Sequence, residues 1–157
     1  MPVTSARINA PFGSLVLHGT SAGLLAIDLS LEPAITNDEP ALFLLREAAR
    51  QFRAYFQDGA FEFSLLPIPD GTSYQRRVWL ALAEIPRGTT LSYGCLAGGL
   101  GSGARAIAAA CRANPLPILI PCHRVVGRHN PGGYCGKTRG RWLEVKEWLL
   151  QHERRAR

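Results

Sequence analysis

The chain has 157 residues, 46% hydrophobic and 19% charged, with mean hydropathy near zero, enough for a real core in one domain or two small ones. No apolar run nears the roughly 18 residues of a membrane span, and the start Met-Pro-Val-Thr-Ser-Ala-Arg lacks the apolar core of a signal peptide, so a cytoplasmic protein is expected. Net charge is +6, and sixteen of the eighteen basic residues are arginine, which favours planar partners such as phosphate.

Residues 5–31 read as a small antiparallel sheet. Ala6–Asn9 leads into a Pro11-Phe12-Gly13 turn, and Ser14–Leu17 and Leu24–Leu29 flank a hairpin loop at Gly19–Gly23. Pro33–Pro40 is a polar connection. Over Ala41–Gln57, apolar residues recur at helical spacing (Leu42, Leu45, Ala48, Ala49, Phe52, Tyr55, Phe56), and Gly59 supplies a stop. Phe61–Leu65 alternates and predicts a further strand. Nothing in this half concentrates chemistry, and it reads as scaffold. Pro67-Ile68-Pro69-Asp70-Gly71 is the boundary, dividing the chain into 1–68 and 69–157.

Beyond it, Ser73 is placed to cap a helix to about Glu84 that buries Val78, Trp79 and Leu82, ended by Pro86-Arg87-Gly88. A short helix opens at Thr90–Tyr93, a glycine-rich turn spans Gly98–Gly103, and a further helix runs from Ala104 to Arg112, a helix-turn-helix pattern. That last helix carries alanine on every face and almost no bulk outside Arg105 and Ile107. One alanine face suits close packing. The others suit entry into the minor groove, about 6 Å wide, with Arg105 long enough to reach a base stack. Between Arg105 and Lys146 basic side chains far outnumber acidic ones, which adds nucleic acid to plain solubility as a reason for the charge.

Chemistry concentrates at Pro117-Ile118-Leu119-Ile120-Pro121-Cys122-His123-Arg124-Val125-Val126. The apolar run predicts a buried strand or extended segment, and its prolines exclude a regular helix. A buried cysteine is usually a small hydrophobe. Here an imidazole and a guanidinium follow it directly, and buried charge without a task is costly, so the reading is a nucleophilic cysteine. All four cysteines (Cys95, Cys111, Cys122, Cys135) lie in the second half without a C-x-x-C pair and read as free thiols, which leaves the N-terminal half without a cysteine-ligated zinc. A loop over Gly127–Gly133 precedes Tyr134-Cys135-Gly136. A helix over Trp142–His152 is predicted to bury Trp142, Val145, Trp148 and Leu149, with Glu153 at its end and a solvated tail from Arg154.

These residues resemble the O6-alkylguanine-DNA alkyltransferase family. The likeness rests on Pro121-Cys122-His123-Arg124-Val125-Val126, preceded by Asn114-Pro115 and followed by Gly132-Gly133-Tyr134. Gly71-Thr72, Val78-Trp79, Ile85-Pro86-Arg87-Gly88, Ser92-Tyr93 and the Pro11-Phe12-Gly13 hairpin fit as well, so it spans nearly the whole chain. The resemblance implies an α+β fold, with a small N-terminal antiparallel sheet and a helix (ribonuclease H-like), then a mainly helical domain with a winged helix-turn-helix. It implies single-turnover transfer of an alkyl group from O6-alkylguanine, and from O4-alkylthymine, to Cys122 after base flipping. His123 would be the base acting through a water, Glu153 its orienting carboxylate, Asn114 a brace and Tyr93 a donor to the leaving base. Tyr134, Cys135, Gly136, Pro117 and Val125 would line the substrate pocket. Arg105 would fill the vacated stack, with Ala104, Ala106, Ala109, Ser92 and Thr72 on the DNA.

No cofactor and no metal are implied. The expected partner is double-stranded DNA carrying O6-alkylguanine, met by a monomer that clusters on DNA and is nucleoid-associated when bound. Two features depart from the family pattern: Cys135 stands where serine is commoner, and the Gly98–Gly103 loop is about two residues short. The alternatives are a non-enzymatic alkyltransferase-like lesion binder, which lacks the cysteine; a helix-turn-helix regulator, which leaves Cys122, His123 and Glu153 unexplained; and an unrelated thiol hydrolase, which leaves the slim helix unexplained.

Overall fold

In the computed structural model, which describes residues 2–34, 39–137 and 140–156, the chain opens with strands β1 (Thr4–Ala10), β2 (Gly13–Thr20) and β3 (Gly23–Ser30). They pair antiparallel in the order β1-β2-β3, with Ile8 opposite Leu15 and Leu17 opposite Ile27. Alternation, with a register shift at His18/Gly19 that brings Leu24 round to the side of Ile27, puts Ala6, Ile8, Leu15, Leu17, Leu24 and Ile27 on one face, where they are buried. Helix α1 (Phe43–Gln57) covers that face with Leu45, Ala48, Ala49, Phe52 and Tyr55. Residues 35–38 of the polar connection and Arg157 of the tail lie outside the described residues.

The strand expected over Phe61–Leu65 does not form. Ser64 N donates to the Gln51 side chain of α1 at 2.8 Å, and Phe63 packs against Phe52 and Tyr55 with ring centroids 4.8 and 5.3 Å away. The alternation serves contact with a helix, not a ladder. The chain meets the sheet just past this segment, where Leu24 N donates to Leu66 O and Ile68 N to Leu24 O. Farther along β3, Ile27 N donates to Pro115 O at 2.8 Å, so the edge of the sheet reaches the second half of the chain.

Helix α2 (Ser73–Ala83) is capped by Thr72, one residue earlier than expected. The cap needs extended backbone before the first turn, and Gln75 completes a capping box: its N–H donates to Thr72 Oγ1 at 3.1 Å while its side chain accepts from Thr72 N at 2.9 Å. A two-residue strand β4 (Leu91–Ser92) runs into α3 (Tyr93–Leu100), capped by Ser92. The glycine-rich turn is shorter than Gly98–Gly103, since Gly98 and Gly99 stay helical. The chain reverses at Gly101, whose left-handed φ of 62° ends the helix. Helix α4 (Ala104–Arg112) follows, tied to α2 by Trp79 Nε1 donating to Ala110 O at 2.9 Å.

The apolar run before Cys122 forms a tight turn, not a strand. Ile120 N donates to Leu116 O at 2.8 Å, and Ile118 takes φ of 75°, a costly conformation for a β-branched residue. A 3-10 turn over Cys122–Arg124 leads into β5 (Val125–Val126), which pairs parallel with β4. Last comes α5 (Arg141–Arg155), longer than predicted, so Glu153 lies within its final turn and Arg154 and Arg155 are helical. Trp142 and Trp148 are half-buried, and Lys146 is fully buried on this helix together with Leu149. The architecture is α+β, with a three-stranded antiparallel sheet and five α-helices among the described residues.

Candidate active site

Cys122 is placed by the turn that precedes it. Asn114 brackets that turn from both sides: Leu116 N donates to its Oδ1 at 2.9 Å, and its Nδ2 donates to Ile120 O at 2.8 Å. Pro121, with φ −82° and ψ 66°, makes an inverse γ-turn closed by Cys122 N donating to Ile120 O at 2.8 Å. The strained Ile118 is held inside this bracket, so the thiol sits on backbone with little freedom.

Cys122 is buried, and burial pushes its thiol pKa up, while a hydrogen bond from Asn114 and the charge of Lys146 draw it back. His123 is fully buried, and burial lowers its pKa below the ordinary histidine value, leaving a neutral ring. Its Nε2 lies 3.0 Å from Glu153 Oε2. A carboxylate only accepts, so Nε2 carries the proton and Nδ1 is the free acceptor. That Nδ1 is buried and has no hydrogen-bond partner. A neutral imidazole with an unpartnered lone pair, next in the chain to a cysteine, can take a proton.

Glu153 is 1% exposed and accepts four hydrogen bonds. Arg124 Nε reaches Oε1 at 3.0 Å; Arg124 Nη2, His123 Nε2 and Tyr55 Oη reach Oε2 at 2.9, 3.0 and 2.8 Å. Burial works to raise its pKa, but the bonds from His123 and Arg124 outweigh it and hold the carboxyl below the usual range. The remaining Arg124 nitrogen, Nη1, donates to Ile85 O at 2.7 Å, so each nitrogen of the half-buried guanidinium has a partner.

Above the sulfur lies a cleft of about 170 Å³, lined among others by Tyr93, Ala108, Cys111, Arg112, Cys122 and Tyr134. Tyr93 arrives there because β4 pairs with β5, and its phenol is pushed up to about 12, first by burial. Gly132 lies against that ring: an added Cβ would fall 2.8 Å from Tyr93 Cε2, and its φ is 73°. Tyr134 is buried, with its hydroxyl unpartnered. Cys135 and Gly136 complete the wall, and burial raises the Cys111 and Cys135 thiols to about 12. A second cleft of about 290 Å³ meets Cys122 from the side of β3, between Asp28, Asn114, Pro117 and Trp142.

Of the expected pocket residues, Tyr93, Tyr134, Cys135 and Gly136 line the first cleft. Pro117 lines only the second, and Val125 lines neither, being fully buried within β5. On α4, Ala104, Arg105, Ala106 and Ala109 are exposed, while Ile107 and Ala110 face inward. Arg105 has no hydrogen bond or ion pair among the described residues. Thr72 and Ser92 spend their side-chain oxygens on helix caps. No group of three or more His, Cys, Asp or Glu among the described residues could hold a metal ion, and no helix among them is long and apolar enough to cross a membrane.

Sequence reasoning passed over Lys146 and Tyr55. Lys146 is 0% exposed and its Nζ donates to Val125 O at 2.7 Å and Gly133 O at 2.9 Å, pinning the pocket wall to the strand after Cys122. The available signal was a lysine next to the apolar stripe of Val145 and Leu149. For Tyr55 no signal existed, because its partner lies 98 residues away.

The family model for the 6-O-methylguanine DNA methyltransferase DNA-binding domain matches residues 73–155. The chain is 39% identical to a methylated-DNA–protein-cysteine methyltransferase of Methanosarcina barkeri, over 93% of this chain and 94% of that one. It is 38% identical to the same-named protein of Mycolicibacterium paratuberculosis, covering 94% and 90%. Among solved structures, the Mycobacterium tuberculosis O6-methylguanine methyltransferase superposes with TM-score 0.83 at 32% identity, covering 99% of this chain and 95% of that one. The Mycobacterium tuberculosis OGT solved in complex with DNA gives TM-score 0.80 at 35% identity, covering 96% and 92%.

Proposed function

Because the chain belongs to the methylated-DNA–protein-cysteine methyltransferase family, we propose that it repairs DNA by moving an alkyl group from guanine O6 to its own Cys122. The observation that carries this reading is Cys122 at the wall of a cleft, followed directly in the chain by a buried His123 whose Nε2 is held by Glu153 and whose Nδ1 has no partner. The Cys122 proton passes through a water to His123 Nδ1. The sulfur attacks the alkyl carbon, the carbon–oxygen bond breaks, and the electron pair leaves with the guanine, to which Tyr93 gives a proton or hydrogen bond. The thioether has no route back, so each molecule acts once.

The remaining roles follow from the same reading. Asn114 braces the cysteine turn, Tyr134 and Gly136 wall the base, and the Cys135 amide contacts O6. Arg105 enters the stack as the base is flipped out on the minor-groove side, and Ala104, Ala106 and Ala109 let the helix approach closely. Thr72 and Ser92, both at helix starts, meet the phosphate backbone. O4-alkylthymine is a second substrate. Residues 1–68 form a ribonuclease H-like domain and 69–157 a domain with a winged helix-turn-helix, acting as a monomer on duplex DNA carrying the lesion.

The test is intact-mass analysis after incubation with an O6-methylguanine duplex. One methyl adduct per chain, mapped to Cys122, is expected. An unmodified protein, or an adduct on Cys95, Cys111 or Cys135 alone, would overturn the assignment.

A further inference from the structure

The N-terminal half reaches the Glu153 carboxylate through a tyrosine hydroxyl. Tyr55, in the last turn of α1, is 2% exposed, and its hydroxyl donates to Glu153 Oε2 at 2.8 Å. We propose that Tyr55 is a positioning residue for alkyl transfer, acting through Glu153; this rests on the roles given above to Cys122, His123 and Glu153.

Three donors share Oε2: Tyr55 Oη, His123 Nε2 and Arg124 Nη2. The tyrosine therefore competes with the imidazole for one oxygen, and two consequences follow. First, the carboxylate cannot swing away from His123 without leaving a buried hydroxyl unpaired, which is costly. That holds the tautomer in which Nδ1 is the free acceptor. Second, donation to Oε2 draws negative charge from the oxygen facing the ring, so the imidazole gains less by protonating and stays a neutral base.

The donor itself is fixed. Its ring is packed by Phe56 and Phe63 at 5.6 and 5.3 Å and by His152, edge-on, at 5.3 Å. His152 Nε2 also donates to Tyr55 O at 2.5 Å, locking the end of α1 onto α5 beside Glu153. Burial, then the charge of Glu153, raise the phenol pKa far above the ordinary value, so Tyr55 keeps its proton and only donates. A scaffold tyrosine would need its ring but not this hydroxyl.

The experiment measures single-turnover alkyl transfer on an O6-methylguanine duplex for wild type, Tyr55→Phe, Glu153→Gln and the double variant across pH. Phenylalanine keeps the ring, and urea unfolding and duplex affinity are followed alongside. Tyr55→Phe should slow transfer roughly tenfold at neutral pH, a part of the 10²–10⁴ that a positioned base contributes. The acid limb of its rate profile should move up in pH, because the freed Oε2 stabilises the imidazolium better. In the Glu153→Gln background the same change should cost nothing further, since the partner it acts through is already altered. An unchanged rate and profile in Tyr55→Phe, or an equal loss in both backgrounds, would overturn the proposal. A wild type that forms no adduct would instead overturn the functional reading beneath it.

Discussion

Replacing Lys146 by methionine tests the chemistry beneath the pocket wall. The ammonium is fully buried, and burial lowers its pKa from the ordinary 10.5 to about 8. The gap between those values, at about 1.4 kcal/mol per pH unit, amounts to roughly 3–4 kcal/mol. The sign follows from proton counts. Between about pH 8 and 10.5 the unfolded chain binds a proton at this lysine and the folded chain does not, so unfolding becomes harder as pH rises. Below pH 8 the folded protein carries the whole penalty of a buried charge. Methionine removes that penalty but leaves the carbonyls of Val125 and Gly133 without their donor, at about 1–3 kcal/mol each. The two effects are of similar size at neutral pH, so the variant should differ little there or be modestly weaker. As pH rises from about 8 to 10, wild type should gain on the variant by about 2–3 kcal/mol. Urea unfolding of both proteins through this window gives the difference directly. The comparison is needed because thiols raised by burial, Cys111 and Cys135 to about 12, make both proteins less stable at alkaline pH. A difference that stays flat with pH would refute the argument. Loss of the ammonium should also leave the Cys122 thiol higher and alkyl transfer slower.

Cys122→Ser should keep the fold and duplex binding while abolishing transfer, since a hydroxyl ionises far less readily than a thiol; intact mass and a binding titration check both halves. Arg105→Ala should weaken duplex binding and slow duplex repair much more than reaction with a free O6-alkylguanine base, which needs no flipping, and equal losses on both would assign Arg105 to the fold instead. Thr72→Ala should cost about 1 kcal/mol in thermal or urea unfolding through loss of the α2 cap, with transfer from a free base unchanged. Gly132→Val, which meets both a left-handed φ of 73° and the Tyr93 ring, should lower stability and shift the Tyr93 side of the cleft, read as slower transfer.

What the sequence determined by itself was local. Alternation placed the three strands, and the 3.6-residue period placed α1, α2 and α5, because each pattern is the imprint of one buried face. The Pro-Cys-His-Arg run was the reason to expect a nucleophile, since an imidazole and a guanidinium have no cheap reason to follow a buried thiol. The slimness of α4 was equally plain, and the structure turns Ala104, Arg105, Ala106 and Ala109 outward. Local pattern misled where a partner lay elsewhere. Phe61–Leu65 alternates like a strand, yet its aromatic residues answer to Phe52 and Tyr55 on a helix. The run before Cys122 reads as extended, but Asn114 folds it into a turn that forces Ile118 to a left-handed φ. Only tertiary structure could assign Lys146 to two backbone carbonyls and Tyr55 to a carboxylate 98 residues away. A hydroxyl or an ammonium carries no mark in sequence of the group that will satisfy it, because hydrogen bonding across a core is decided by which elements pack together.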